Sequence, residues 1–379
     1  MHKKRICYIV STLKSSGPIN ILKSIINYID KEKNNIYILS LSPEPASSIR
    51  DELVEMGVTC INLEVSRKNI FKLIKRLKQT VNNIIPDIIH SHGLRPDIIL
   101  LLFLQYKYKC CCTIHNYAPM DYKMTYGSLI GGIASYLHLK AIRKIDHPIS
   151  CSQSIADQLR VYDLKVDVIQ NGVDTSYFFP PFLEKKAELR KQLSLDHNST
   201  VFISVGHLTP KKNPLFILQE FSKYNGEFTL LFIGDGTLRP SLATYSYKLK
   251  GNVIFTGHVS NVLDYLQASD YFISASKAEG LPNTVLEAGA VGLPLILSNI
   301  PSHKEILSKN KNTGYSFTAG DINGLISVLN NLQITDSRKY QEMSKSARDL
   351  IIDNFSAEGM SKKYQDSYKK MVSTGPVRE

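Results

Sequence analysis

Between Lys277 and Ser298 the chain reads KAEGLPNTVLEAGAVGLPLILS, with two carboxylates, Glu279 and Glu287, eight positions apart. YFISAS just before it reads as a buried strand, KAEGLP as a turn and NTVLEAGAV as a helix. Pro282 suits a first helical turn, and Gly292 with Pro294 ends the helix before the next strand. One glutamate therefore precedes a helix and the other lies about a turn inside it, roughly 7–8 Å from Pro282 to Glu287 at about 1.5 Å per residue. The amino end between them carries backbone N–H groups and the positive end of the helix dipole, a setting that favours phosphate. Paired glycosidase carboxylates flank one bond from different elements. This spacing instead suits a long ligand read at both ends with an anion between, the shape of a nucleoside diphosphate sugar.

Other residues able to do chemistry cluster after apolar runs. GHLTPKKNP carries His207, Lys211 and Lys212; CTIHN carries His115; DIIHSH places His90 and His92 on one side of a strand. No His, Cys or carboxylate group has metal-ligand spacing. Six cysteines include the run Cys110, Cys111, Cys112 and no CxxC pair, so reduced structural thiols are expected.

The elements that must position these residues alternate short apolar runs with helical patterns, the mark of parallel α/β architecture. RICYIV, NIYILSL, TCINLE, DIIHSH, CCCTIH, HPISCS and DVIQNG read as strands in the first half, with helices such as Ile19–Tyr28 and Gly127–Lys144 between them. FFPPFLEKKAELRKQL interrupts the pattern, and TVFISVG, FTLLFIGDG, NVIFTG, YFISAS and PLILS restart it. Two doubly wound domains are expected, residues 1–178 and 190–354, with a linker between. The tail 355–379 is a helix with Phe355, Met360, Tyr364, Tyr368 and Met371 as its apolar positions, able to cross back onto the first domain. In such sheets ligands bind beyond the carboxyl ends of the strands, so a cleft between two facing domains is the expected site.

With 43% hydrophobic and 21% charged residues in 379, the chain can bury two ordinary cores. The apolar runs Ile6–Val10 and Ile98–Leu104 are too short for a secretory signal or a spanning helix, which predicts a cytoplasmic protein. Of the net charge of +12, residues 1–180 carry +8, much of it in SRKNIFKLIKRLKQTV. There Ile70, Leu73, Ile74, Leu77 and Val81 follow helical spacing, while Lys68, Lys72, Lys75, Arg76 and Lys78 line other faces. That helix is either a solvated face or a surface for anionic lipid heads or a diphosphate acceptor. No motif supports nucleic acid.

The opening stretch resembles the E-x7-E motif of the retaining glycosyltransferases of family 4. The likeness runs through the chain: PDIIHSHG, CTIHN, ISCSQSIADQLR, VIQNGVDTSYFFP, SVGHLTPKKNP, FIGDGTLRPSL, VIFTGHV, EGLPNTVLEAGAVGLPLILSNIPSHKEIL and TGYSFTAGD stand in family order and spacing. NGVD and EGLPNTVLEA are the most specific pieces. The resemblance implies the GT-B fold, two Rossmann-like doubly wound domains facing across a cleft, and sugar transfer from a nucleotide donor with retained anomeric configuration, without metal or cofactor. Family habit together with the basic first half points to a hydroxyl of a lipid-linked glycan as acceptor, as in O-antigen or capsule assembly, with peripheral association at the inner membrane face; protein and small-molecule acceptors stay open.

Carried onto this sequence, the resemblance implies that Glu287 holds the ribose hydroxyls and Glu279 sits by the transferred sugar. Gly280, Leu281, Pro282 and Asn283 line sugar and phosphate through their backbone. Lys212 neutralises the leaving diphosphate, and Gly257, His258 and Val259 receive the base. From the first domain, Gly17 lets the backbone approach phosphate and His115 lies near sugar and acceptor. Two positions depart from the family: His207 stands where an arginine is common, and SSGPIN replaces paired glycines with Ser16 and Pro18 around Gly17. A histidine cannot match a guanidinium fork on a diphosphate. Two rival readings stay open: a nucleotide-sugar 2-epimerase of the same architecture, and a non-catalytic nucleotide-sugar-binding relative.

Overall fold

The computed structural model describes residues 3–66, 68–321, 323–332 and 337–373. It divides into two compact units, one made of 1–172 with 357–379 and the other of 173–356. In the first unit the strands are β1 (Lys4–Val10), β2 (Asn34–Ser40), β3 (Thr59–Asn62), β4 (Ile88–His92), β5 (Lys109–Ile114), β6 (His147–Ser150) and β7 (Asp167–Val168). They form a parallel sheet in the order β3-β2-β1-β4-β5-β6-β7. The second unit holds β8 (Thr200–Val205), β9 (Phe228–Ile233), β10 (Asn252–Gly257), β11 (Tyr271–Ser274), β12 (Leu295–Ser298) and β13 (Gly314–Phe317), parallel in the order β10-β9-β8-β11-β12-β13. Each sheet reverses its winding beside its first strand, between β1 and β4 and between β8 and β11. Such switch points open crevices at the carboxyl ends of the strands.

The strands form because their residues are apolar on both faces, as helices on each side require. Ile6, Tyr8, Val10, Ile36, Ile38 and Ile88 join one core; Phe202, Leu230, Phe232, Tyr271, Ile273 and Ile296 join the other. The helix Ala357–Ser373 belongs to the first core, where Met360, Tyr364, Tyr368 and Met371 are buried. Its tyrosine hydroxyls do not go unsatisfied: Tyr368 meets Tyr8 at 3.0 Å, and Tyr364 meets Thr113 Oγ1 at 3.0 Å. The last residues of the tail helix expected over 355–379, from 374 on, lie outside the described residues.

The stretch expected to be a linker, 178–190, is structured within the second unit. Arg348 donates to the carbonyls of Thr175 and Phe178, and Leu183–Gln192 is a helix. That helix is pinned by a buried ion pair, Arg190 Nη2 to Asp270 Oδ2 at 2.5 Å, with Lys186 on the other carboxylate oxygen at 2.7 Å. The strand β13 was not expected; at the sheet edge only Phe317 of its four residues is buried, so they carry little periodic signal. All six cysteines are free. No helix of the described residues is long and apolar enough to cross a membrane.

Candidate active site

The site in the second unit is built from the loops that follow β8 and β11, at the switch point of that sheet. Gly206 follows β8 at φ +146, and its backbone oxygen lies where a Cβ on Gly234 would come within 2.3 Å, so the residue after the neighbouring strand β9 must be glycine. The loop then carries His207, Lys211 and Lys212 before the helix Pro214–Phe221. Lys277 N–H donates to the Lys211 carbonyl at 2.9 Å, tying this loop to the one after β11. The tie brings Lys212 Nζ to Glu279 Oε1 at 2.5 Å, with side chains 24% and 9% exposed.

Ser276 Oγ donates to the same Glu279 oxygen at 2.7 Å. Burial pushes the Glu279 carboxyl up, but Lys212, Lys211 and the Lys212 and Ser276 hydrogen bonds outweigh it, and its pKa lies below the usual 4.5. Glu279 is therefore a carboxylate at neutral pH. Behind it, Ser298 Oγ donates to the Ser276 carbonyl at 2.7 Å, and buried His303 Nδ1 lies 2.9 Å from the Ser298 carbonyl. A carbonyl only accepts, so His303 carries its proton on Nδ1. Burial lowers the His303 pKa to about 4, so the ring is neutral, and its buried Nε2 lone pair has no hydrogen-bond partner among the described residues. Ser276, Ser298 and His303 were not picked out from the sequence; the two serines sit where strands end and read as ordinary turn chemistry, and His303 lies inside the short helix Pro301–Leu307.

The helix opening beyond this pair is Asn283–Ala290, with Pro282 at its N-cap offering no side-chain cap. Gly280, Leu281 and Pro282 are buried and Asn283 is half-buried. The helix ends at Ala290, and Gly292, φ +82, follows its C-cap Val291 as the stop the sequence indicated. Glu287, one turn in, keeps some exposed surface, yet burial raises its carboxyl to about 7 against the lowering pull of Lys212. The two glutamates thus differ: one is held ionised by lysine, the other is poised to titrate.

His207 and His258 meet edge to face with centroids 5.9 Å apart, and both are exposed. Gly257 is buried at φ +72 and accepts from Gly234 N–H at 2.8 Å; Val259 is half-buried. A small pocket lined by Ser204, Gly206, His207, Lys212, Ser274 and Ser276 lies between the two loops.

In the first unit, Gly17 is exposed at the start of the helix Gly17–Asn27, after Ser16, whose side chain makes no cap bond. His115 follows β5. Its Nε2 lies 2.8 Å from His92 Nδ1, and burial lowers its pKa to about 4, so the ring is neutral near pH 7. His90 and His92 share one side, 4.3 Å between centroids. His90 is structural: it bonds Tyr368 at 2.7 Å and Thr113 at 2.8 Å.

Comparison with known proteins shows the family and the fold. Residues 17–177 match the pattern described as Glycosyltransferase Family 4, and residues 185–350 match Glycosyl transferases group 1. The chain is 29% identical over 364 residues to an Escherichia coli UDP-Gal:alpha-D-GlcNAc-diphosphoundecaprenol alpha-1,3-galactosyltransferase, covering 91% of each protein. It is 30% identical over 312 residues to the Staphylococcus aureus capsular polysaccharide biosynthesis glycosyltransferase CapH, covering 76% of this chain and 82% of that one. The fold is shared with Anabaena Alr3699/HepE in complex with UDP-glucose, at TM-score 0.81 and 17% identity over 97% of this chain and 99% of that chain. With two Rossmann-like parallel-sheet units and both glutamates at the second sheet's switch point, the chain belongs to the family 4 glycosyltransferases of GT-B fold, among the enzymes of bacterial polysaccharide biosynthesis.

Proposed function

We propose that the protein moves a sugar from a UDP-sugar, with retention and without a metal ion, to a hydroxyl of a lipid-linked glycan during surface polysaccharide assembly. The observation that carries this reading is the Lys212–Glu279 pair beside the opening of the Glu287 helix. A diphosphate entering there meets Lys212 and the helix amino end, which offset the charge that develops as the nucleotide leaves. His207 adds a donor at the same loop. Glu279, kept ionised, accepts from hydroxyls of the transferred sugar and steadies positive character at its anomeric carbon. The backbone of Gly280, Leu281, Pro282 and Asn283 lines sugar and phosphate. Glu287 accepts from the two ribose hydroxyls, and Gly257, His258 and Val259 border the base.

In this reading residues 190–354 bind the donor, while residues 1–178, with the returning tail helix, present the acceptor. There Gly17 approaches phosphate and His115 bonds sugar or acceptor. The departing phosphate oxygen takes the acceptor proton, and the acceptor attacks on the face from which UDP leaves. The named activities of the Escherichia coli and Staphylococcus aureus relatives support the polysaccharide setting, and the UDP-glucose neighbour supports the nucleotide. The proposed location is the cytoplasmic side of the membrane.

The test incubates the protein with a panel of UDP-hexoses and a GlcNAc linked to a polyprenyl diphosphate. UDP release that requires the acceptor, an axial anomeric linkage by proton NMR from an axial donor, and full rate in EDTA are the expected results. An inverted linkage or loss of rate in EDTA overturns the chemistry. Donor conversion without acceptor points to an epimerase instead.

A further inference from the structure

The helix Ser128–Ile142 is packed inside out. Its buried face carries Gly131, Ser135, His138, Ala141 and Ile142. Its outer face carries Leu129, Ile130, Ile133, Tyr136 and Leu137, between 47% and 78% exposed. The spacing i, i+1, i+4, i+7, i+8 makes these one continuous stripe. A soluble helix ordinarily turns such a stripe inward.

Inward contacts hold it in this orientation. His138 Nε2 is 2.8 Å from Asp97 Oδ2, its Nδ1 is 2.8 Å from Tyr122 Oη, and fully buried Asp97 also accepts from Ser91 Oγ at 2.6 Å. Gly131 passes so close to the helix Ala118–Tyr126 that a Cβ there would come within 2.3 Å of the Tyr122 carbonyl oxygen. Rolling the apolar stripe inward would strand a buried carboxylate and place side chains where no room exists. The neighbouring helices add to the outer surface: Met120, Met124 and Tyr126 are exposed on one, and Leu102 at the end of Leu94–Phe103, with Tyr106 beyond it, on the other.

Within the segment itself the exposed charges have one sign, the exposed acid Asp146 lying just beyond it. Between residues 118 and 144 the exposed ionic side chains are Lys123, Lys140, Arg143 and Lys144, and the one acid, Asp121, is buried. A second copy docking through this face would set its cations near the partner's. Large exposed apolar patches mark partners. Apolar and tyrosine side chains rimmed by lysine and arginine suit the headgroup region of an anionic bilayer.

We propose that the outward face of the segment 118–144 inserts into the headgroup layer of an anionic membrane, and that this surface, rather than the basic helix Ile70–Ile84, anchors the protein. It deepens the lipid-linked acceptor reading, but its test uses binding alone, so that reading can fail while this one stands.

The chain contains no tryptophan, so Ile133→Trp places a single reporter on the stripe. Full-length protein is mixed with phosphatidylcholine vesicles, with or without phosphatidylglycerol, and floated. Flotation only with the anionic vesicles, together with a blue shift of the emission from the introduced indole, is the expected result. Leu129→Ser/Ile133→Ser/Leu137→Ser should reduce partitioning by at least about tenfold with an unchanged circular dichroism spectrum. Lys72→Gln/Lys75→Gln should partition like the wild type. Three outcomes overturn the proposal: no flotation, flotation without a blue shift, or a triple-serine variant that still floats fully. If the wild type is a dimer that the triple-serine variant breaks, and neither binds vesicles, the stripe is a self-association surface instead.

Discussion

Glu287→Gln is expected to make the free protein more stable at about pH 8 while removing its response to UDP. The Glu287 carboxyl titrates near 7 in the fold because burial disfavours its charge more than Lys212 favours it. Its ordinary value is 4.5, so between the two the folded chain holds a proton that the unfolded chain has lost. Stability therefore falls as pH rises from about 4.5 to about 7, and above that the full penalty remains. For a shift of this size the penalty is on the order of 3 kcal/mol, and about 1–2 kcal/mol after discounting the solvent that the side chain still meets. Glutamine removes the charge and keeps the shape. Urea unfolding at about pH 8 should show the gain, and at about pH 5 the gain should nearly vanish.

The same substitution removes a charged acceptor for two ribose hydroxyls. In the wild type UDP at about 100 times its dissociation constant should add roughly 2.7 kcal/mol. In the glutamine variant little of that shift should survive. Wild-type affinity should also tighten as pH rises through about 7, because the ionised form is the better acceptor, and the variant should show no such slope. A variant less stable at pH 8, or one that still responds fully to UDP, would remove Glu287 from the ribose role. A site residue whose replacement stabilises the fold is the ordinary trade between stability and activity.

How much of this could be read from the sequence follows from where the information sits. The strands of both sheets carry runs of Val, Ile, Leu and Phe that are apolar on both faces, so nearly all were legible; β7 reduces to Asp167–Val168 and β13 escaped because edge strands bury little. Glu279, Glu287 and Lys212 were legible because a motif fixes them on a strand–turn–helix and on the loop after β8. Ser276, Ser298 and His303 were not. Their partnership depends on which way side chains turn at two strand ends and in the helix Pro301–Leu307 that follows, and no periodicity records that. The helix 128–142 was legible as a helix, but not its orientation. Only the buried Asp97–His138–Tyr122 bonds and the tight passage at Gly131 reveal that its apolar side is the outer one.

Lys212→Ala should damage both stability and turnover, and a second substitution should separate the two. Glu279 is held below its usual pKa only because Lys212 and Lys211 stand beside it and because Lys212 and Ser276 donate to it. A carboxyl depressed in this way contributes stability that is present above its unfolded value and is lost as pH falls through the folded one. Without Lys212 the near-buried carboxylate keeps Ser276 at 2.7 Å but loses its direct ion pair. Removing one partner of a buried pair costs about 3–5 kcal/mol, so a fall in the urea midpoint at neutral pH is expected, shrinking in acid as Glu279 takes up a proton. Turnover should fall about 10²–10³-fold, the usual loss when one charge-stabilising donor is deleted. Lys212→Met/Glu279→Gln replaces the pair with neutral groups of similar volume and should recover most of the lost stability, since buried pairs often do no better than well-packed neutral residues. It should recover none of the activity, because the diphosphate has lost its counter-charge and the sugar its carboxylate acceptor. If the double variant regained turnover along with stability, the pair would be a folding device and the catalytic assignment of Lys212 and Glu279 would fall.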